Sequence, residues 1–100
     1  VRLQRIEAQG QVPAYDRALL RHELQLFPDW YVARHCSHTL DATEQGRLDA
    51  CFELILDACV AQPAVLVHRD YHSRNLMLTE AGNPGVLDFQ DAVWGPVTYD

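Results

Sequence analysis

The hydrophobic period of this chain changes at Pro63, and that change limits the folds open to it. Before Pro63, apolar residues recur at helical spacing: Leu20, Leu24, Phe27 and Tyr31 in one stretch, then Leu48, Cys51 or Phe52, Ile55 and Cys59 in another. After it they come in short continuous runs, at 64–67, 76–78 and 86–87, separated by turn formers. Helices first and a small sheet region after them make an α+β chain, mainly helical. No internal repeat or low-complexity segment interrupts that order.

Punctuation residues set the element ends. Pro13 suits the first turn of the first helix, whereas Pro28 should break or kink it near Phe27, with Asp29-Trp30-Tyr31 restarting a short second piece. This apolar stripe is read as core packing rather than a ligand box. Asp41 and Glu44 have capping-box spacing at the start of the second helix, which should end near Gln62-Pro63. Residues 64–67 are expected to form a buried strand. The turn-dense run 79–85 should close the last two apolar runs into a hairpin. Asn75 then precedes the outgoing strand and Asp88 follows the returning one, at the same open end. Residues 1–12 carry no assignable pattern.

Composition removes several classes of function. The chain has 100 residues, 48% of them hydrophobic, enough for a small core. A net charge of −6 argues against a nucleic-acid partner, since phosphate backbones attract basic proteins. No apolar run approaches the roughly 18 residues of a membrane span, and no signal-peptide pattern is present. Cys36, Cys51 and Cys59 are odd in number and lack CxxC spacing, which fits a reducing cytoplasm better than a disulfide framework. Cys51 and Cys59 are read as small apolar side chains on one helix face. The expectation is a cytoplasmic protein, monomeric, without a nucleic-acid or membrane partner.

The run VLVHRDYHSRN, residues 65–75, concentrates the chemistry. An apolar strand here delivers His68, Asp70 and Asn75 in quick succession, and the hairpin would bring Asp88 beside them. Asn75 and Asp88 offer a neutral and an anionic oxygen, the hard ligands Mg²⁺ prefers, with water and phosphate completing its shell. Asp70 is a further carboxylate able to accept a proton from a nucleophile. Such a base next to a phosphate-bridging metal is what phosphoryl transfer requires. HRDYHSRN also matches the kinase catalytic loop H-R-D-L-x-x-x-N except for Tyr71, and LDFQ at 87–90 stands in the place of D-F-G. Only six residues separate Asp88 from Gly95, too few for an activation loop with a phosphosite. Arg69 therefore lacks the phosphate partner it would have in a regulated protein kinase and is read as structural.

Residues 65–100 resemble the aminoglycoside phosphotransferase/choline kinase family, small-molecule kinases with a protein-kinase-like fold. The resemblance rests on His68, Asp70, Asn75, the pair Asp88-Phe89 and the pair Tyr99-Asp100. The wording VHRDYHSRNLM and VLDFQDAVWGPVTYD is most similar to bacterial kinases that phosphorylate the anomeric hydroxyl of N-acetylmuramate and N-acetylglucosamine in cell-wall recycling. It implies the C-terminal lobe of such a fold over residues 1–100, mainly helical, with a small β-hairpin carrying the catalytic and metal loops. It implies ATP as phosphoryl donor, Mg²⁺ and a small-molecule sugar as substrate, with an aminoglycoside or choline-type kinase as the alternative. By the same resemblance Asp70 is the catalytic base and Asn75 a catalytic residue. Asn75 and Asp88 hold Mg²⁺ against the ATP phosphates, and His68 and Asp100 support the loop. Arg74 and Asp91 could reach substrate or metal.

Two readings of other classes compete. His68, Asp70 and His72 alternate as a zinc hydrolase's ligands could, although that leaves Asn75 and Asp88 unexplained. A non-catalytic kinase-like binding module would not need Asp70, Asn75 and Asp88 intact. The chain contains no Lys and no Gly-rich phosphate loop. It opens on VRLQ and stops after VTYD, so the expectation is a segment of a longer protein whose N-terminal, ATP-gripping lobe lies elsewhere. Such a segment alone should be inactive. Trp30, Tyr31 and Trp94 could stack on a sugar ring, but packing is the default role for each.

Overall fold

A computed structural model describes residues 2–100. They divide into two units: Asp16–Gln62, and the residues up to Tyr15 together with Pro63–Asp100. The mixture of helices and two small sheets is α+β, as expected.

In the helical unit, α1 spans Arg17–Leu26, and the Asp16 carboxylate caps it by accepting the Leu19 N–H at 2.9 Å. Pro28 has no N–H to give the preceding turn. The helix does not break there; it passes directly into a π-helical segment, Phe27–His35, closed by Cys36 N–H bonding the Tyr31 carbonyl at 2.9 Å. The expected break and restart is thus a change of helical register. Of the expected core stripe, Leu20 is buried and Leu24 half-buried. Phe27, Trp30 and Tyr31 are each about half exposed, at 49%, 56% and 53%. Their rings satisfy one another instead. Phe27 stacks on Tyr31, Tyr31 stacks on His35, and the Arg34 guanidinium lies 4.0 Å over Trp30.

The second helix, α2, spans Ala42–Val60 and begins with the reciprocal capping box foreseen for Asp41 and Glu44. Its buried residues are Phe52 and Leu56, with Leu48 and Cys59 half-buried, whereas Cys51 and Ile55 are exposed. The apolar face is therefore turned by one residue from the expected one, and Cys51 is not a packed side chain. Beside this buried face runs the acidic row Asp49, Glu53 and Asp57, one turn apart along α2. That row pairs with Arg17 and Arg21 of α1: Arg17 with Glu53 and with Asp57 (2.7 Å), Arg21 with Asp49 (2.5 Å) and Glu53 (3.1 Å). Exposed pairs of this kind stabilise little individually, about 0–1 kcal/mol.

The Glu44 carboxylate accepts the Asp41 N–H at 2.9 Å and lies 2.9 Å from His38 Nε2. The backbone N–H first, and His38 second, hold its pKa below the ordinary Glu range. A carboxylate so depressed adds stability that is complete above its unfolded value, near pH 4.5, and is lost as pH falls through the lower folded value. Glu44→Gln keeps an acceptor for the Asp41 N–H but cannot titrate. Urea midpoints of the full-length protein between pH 6 and 3 should fall less steeply in that variant than in the wild type.

In the other unit, β1 (Ala64–Val67) and β4 (Val93–Pro96) pair antiparallel, from Ala64 opposite Pro96 to Val67 opposite Val93. Only the Val67 end of β1 is buried, so the strand is less enclosed than its apolar run suggested. The other edge of β4 is also occupied: Trp94 N–H bonds the Pro13 carbonyl and Tyr15 N–H the Trp94 carbonyl, both at 2.8 Å. Just past the strand, Val97 N–H bonds the Pro63 carbonyl at 3.0 Å. Gly95 is required where Tyr15 crosses β4, because a Cβ there would stand 2.7 Å from the Tyr15 Cβ. The hairpin joins β2 (Leu76–Met77) to β3 (Gly85–Val86), with Leu76 opposite Val86. Its turn is tied by Thr79 N–H to Asn83 Oδ1 (2.7 Å) and Asn83 Nδ2 to the Thr79 carbonyl (2.6 Å). Among the described residues, no helix is long and apolar enough to cross a membrane.

Candidate active site

The loop between β1 and β2 is held at three points. At its start, the Asp100 carboxylate accepts two consecutive backbone N–H groups, His68 to Oδ2 at 2.6 Å and Arg69 to Oδ1 at 2.9 Å. A charged acceptor shared by two donors is among the stronger hydrogen-bond arrangements. Next, His68 is 1% exposed, and a polar ring so buried must be bonded on both sides. Its Nε2 donates to the Leu87 carbonyl at 2.8 Å and its Nδ1 accepts the Asp70 N–H at 3.3 Å. Both ring nitrogens are thus occupied, and the ring ties the loop to the strand leaving the hairpin. Finally, the 3₁₀ turn Ser73–Asn75 leads into β2, its Asn75 N–H bonding the His72 carbonyl at 2.9 Å.

Asn75 joins the two halves of the site. Its Nδ2 donates to the Asp70 carbonyl at 3.0 Å, and its own carbonyl accepts the Leu87 N–H at 2.9 Å. Asp88 follows Leu87 directly, so hydrogen bonds tie Asn75 to the backbone of Asp70 and to that of the residue before Asp88, at the hairpin's open end. Since the Asn75 amide nitrogen is committed, its oxygen is the end left to serve a cation. The Asp70 and Asp88 side chains are exposed and have no hydrogen-bond or ion-pair partner among the described residues. A neutral and an anionic oxygen are the kind of hard ligands that Mg²⁺ prefers.

Two residues here adopt left-handed backbone, Arg69 (φ 75°) and Asp88 (φ 62°). Such strain is of order 1 kcal/mol or more for each non-Gly residue and clusters at functional sites. At Arg69 it ends the extended run of β1, so His68, Asp70 and His72 do not alternate along one strand face. Among the described residues, no three His, Cys, Asp or Glu side chains gather where they could hold a metal ion. The zinc-hydrolase reading fails on both counts, since His68 also spends both ring nitrogens on the fold.

Tyr15 is the residue that sequence reasoning missed. It is buried, its ring packs edge-on to Tyr99 at 5.1 Å, and the Arg69 guanidinium lies 5.6 Å from its centroid. It therefore backs both the left-handed turn of the loop and the residue preceding Asp100. The helical pattern expected from Pro13 takes it into the first helix, whereas α1 starts at Arg17 and residues 13–15 run along β4, so that pattern concealed it. Tyr71, which replaces the motif's Leu, is half-buried with its ring edge-on to His68 at 6.0 Å. Arg74 is exposed in the 3₁₀ turn and Asp91 in the turn before β4. Trp94 is half-buried within β4.

A family model described as phosphotransferase enzyme family matches residues 1–100. This chain belongs to the phosphotransferase enzyme family. Within it, the chain is 54% identical to an N-acetylmuramate/N-acetylglucosamine kinase of Pseudomonas aeruginosa, over 100% of this chain and 29% of that protein. It is 51% identical to the protein of the same name from Pseudomonas putida, again over 100% and 29%. For that of Neisseria meningitidis the identity is 45%, over 100% and 30%. The chain thus spans under a third of the length of these relatives. No solved structure matches it.

Proposed function

We propose that the full-length protein is an ATP-dependent kinase of small amino sugars, acting on the anomeric hydroxyl of N-acetylmuramate or N-acetylglucosamine. Residues 1–100 are then part of its C-terminal, substrate-binding lobe, and a Gly-rich loop and a Lys that grip ATP belong to another part of the protein. The reading is supported by family membership and by the names of relatives matched over the whole chain. The observation that carries it is the junction at the hairpin mouth, where Asn75 bonds both the Asp70 and the Leu87 backbone.

In this reading Asn75 and Asp88 hold Mg²⁺, which when bound offsets the charge of the ATP phosphates and fixes their alignment. Asp70 orients the sugar hydroxyl and takes its proton late in the transfer. An anomeric hydroxyl is more acidic than an ordinary alcohol, so a weak base is adequate. His68 and Asp100 act through the backbone, keeping the loop at the position where that transfer is possible. Asp91 stands in the neighbouring turn as a candidate substrate contact. The protein works as a cytoplasmic monomer on ATP and sugar.

The test is a parallel ATP-dependent phosphorylation assay of the full-length protein with N-acetylmuramate, N-acetylglucosamine, choline and kanamycin. Turnover of the two amino sugars is expected, with little on the others. Preferential turnover of choline or kanamycin would move the protein to another branch of the family, and no turnover of any of them would remove the kinase reading.

A further inference from the structure

The two sugars in the relatives' names share a ring and an acetamido group. They differ by a lactyl ether on N-acetylmuramate that ends in a carboxylate. A site that favours the acidic sugar over the neutral one needs a cation within reach of that carboxylate.

Eight arginines and no lysine supply the permanent cations. Arg17 and Arg21 are bonded to the acidic row of α2. Arg34 lies over Trp30, and Arg69 over Tyr15. Arg47 is within α2, and Arg2 and Arg5 are at the 3₁₀ turn of the N-terminal segment. Arg74 alone is both in the loop that carries Asp70 and Asn75 and without a hydrogen-bond or ion-pair partner among the described residues. With His72 and Ser73 it borders an open surface depression, where its guanidinium is accessible to a ligand.

We infer that Arg74 is a specificity-determining residue that reads the substrate carboxylate, favouring the acidic sugar over its neutral counterpart. The guanidinium presents a fork of N–H donors matched to a carboxylate, so one side chain provides both the charge and a two-point fit. This rests on the amino-sugar kinase reading above and names the group within the substrate that the site distinguishes.

The test measures kcat/KM of the full-length protein for both sugars, and KM for ATP, in the wild type, Arg74→Gln and Arg74→Lys. In Arg74→Gln the ratio of N-acetylmuramate to N-acetylglucosamine specificity should fall on the order of 10- to 100-fold, the worth of charged hydrogen bonds. Arg74→Lys keeps the charge without the fork and should lose less of the ratio. Equal losses for the two sugars, an effect confined to KM for ATP, or an unchanged ratio would each overturn the inference while leaving the kinase reading standing. A wild-type protein inactive on both sugars would overturn the two together.

Discussion

Replacing Asp70 by alanine in the full-length protein is expected to lower kcat about 10²- to 10⁴-fold, the usual contribution of a positioned base. ATP binding should remain largely intact. The expectation follows from how the loop is built. What the fold uses of Asp70 is its backbone: the N–H bonds His68 Nδ1, and the carbonyl accepts from Asn75 Nδ2 and from the His72 N–H. The side chain is exposed and its removal breaks no bond that shapes the loop. Loss of turnover should therefore come without a fall in the thermal midpoint. Turnover close to that of the wild type would sink the proposed base.

Asp88→Asn is the second large effect and should be read beside Asp88→Ala. Both remove the anionic oxygen proposed for Mg²⁺, and either should lower kcat/KM for Mg²⁺–ATP on the order of 10²-fold or more. The two differ in backbone cost. Position 88 is left-handed at φ 62°, a conformation that Asn tolerates and Ala resists by roughly 1–2 kcal/mol. Asp88→Asn should thus keep wild-type stability and show a raised Mg²⁺ requirement, while Asp88→Ala should also unfold at a lower urea concentration. An unaltered Mg²⁺ dependence in Asp88→Asn would contradict the assigned role.

The parts of this molecule legible in its sequence are those fixed by near neighbours. The capping box of α2 needs only Asp41 and Glu44. The hairpin needs only two apolar runs and the turn between them, and with it came the meeting of Asn75 and Asp88 at one end. What could not be read depends on partners far along the chain. The strand β4 contains Gly95 and Pro96, poor strand formers, and exists because β1 on one side and residues 13–15 on the other offer it hydrogen bonds. Which of Cys51 and Phe52 on α2 is buried depends on how that helix packs, which the spacing of its own residues does not decide. At Pro28 the local rule correctly foretold a disturbance, but a wider helical register absorbed it. Tyr15 supports the loop from more than fifty residues away in sequence, and no spacing rule reaches that far.

The bonds at β4 have an implication for how this scaffold can change over evolutionary time. The chain departs for its helical excursion at Tyr15 and comes back at Pro63, and both residues are fastened to the same short stretch, at Trp94 and Val97. An insertion whose two ends are stitched to one strand can be lengthened, shortened or exchanged while its anchor points stay put. Descendants of such a fold can therefore trade the intervening helices for others while the loop that Asp100 and His68 hold stays in position.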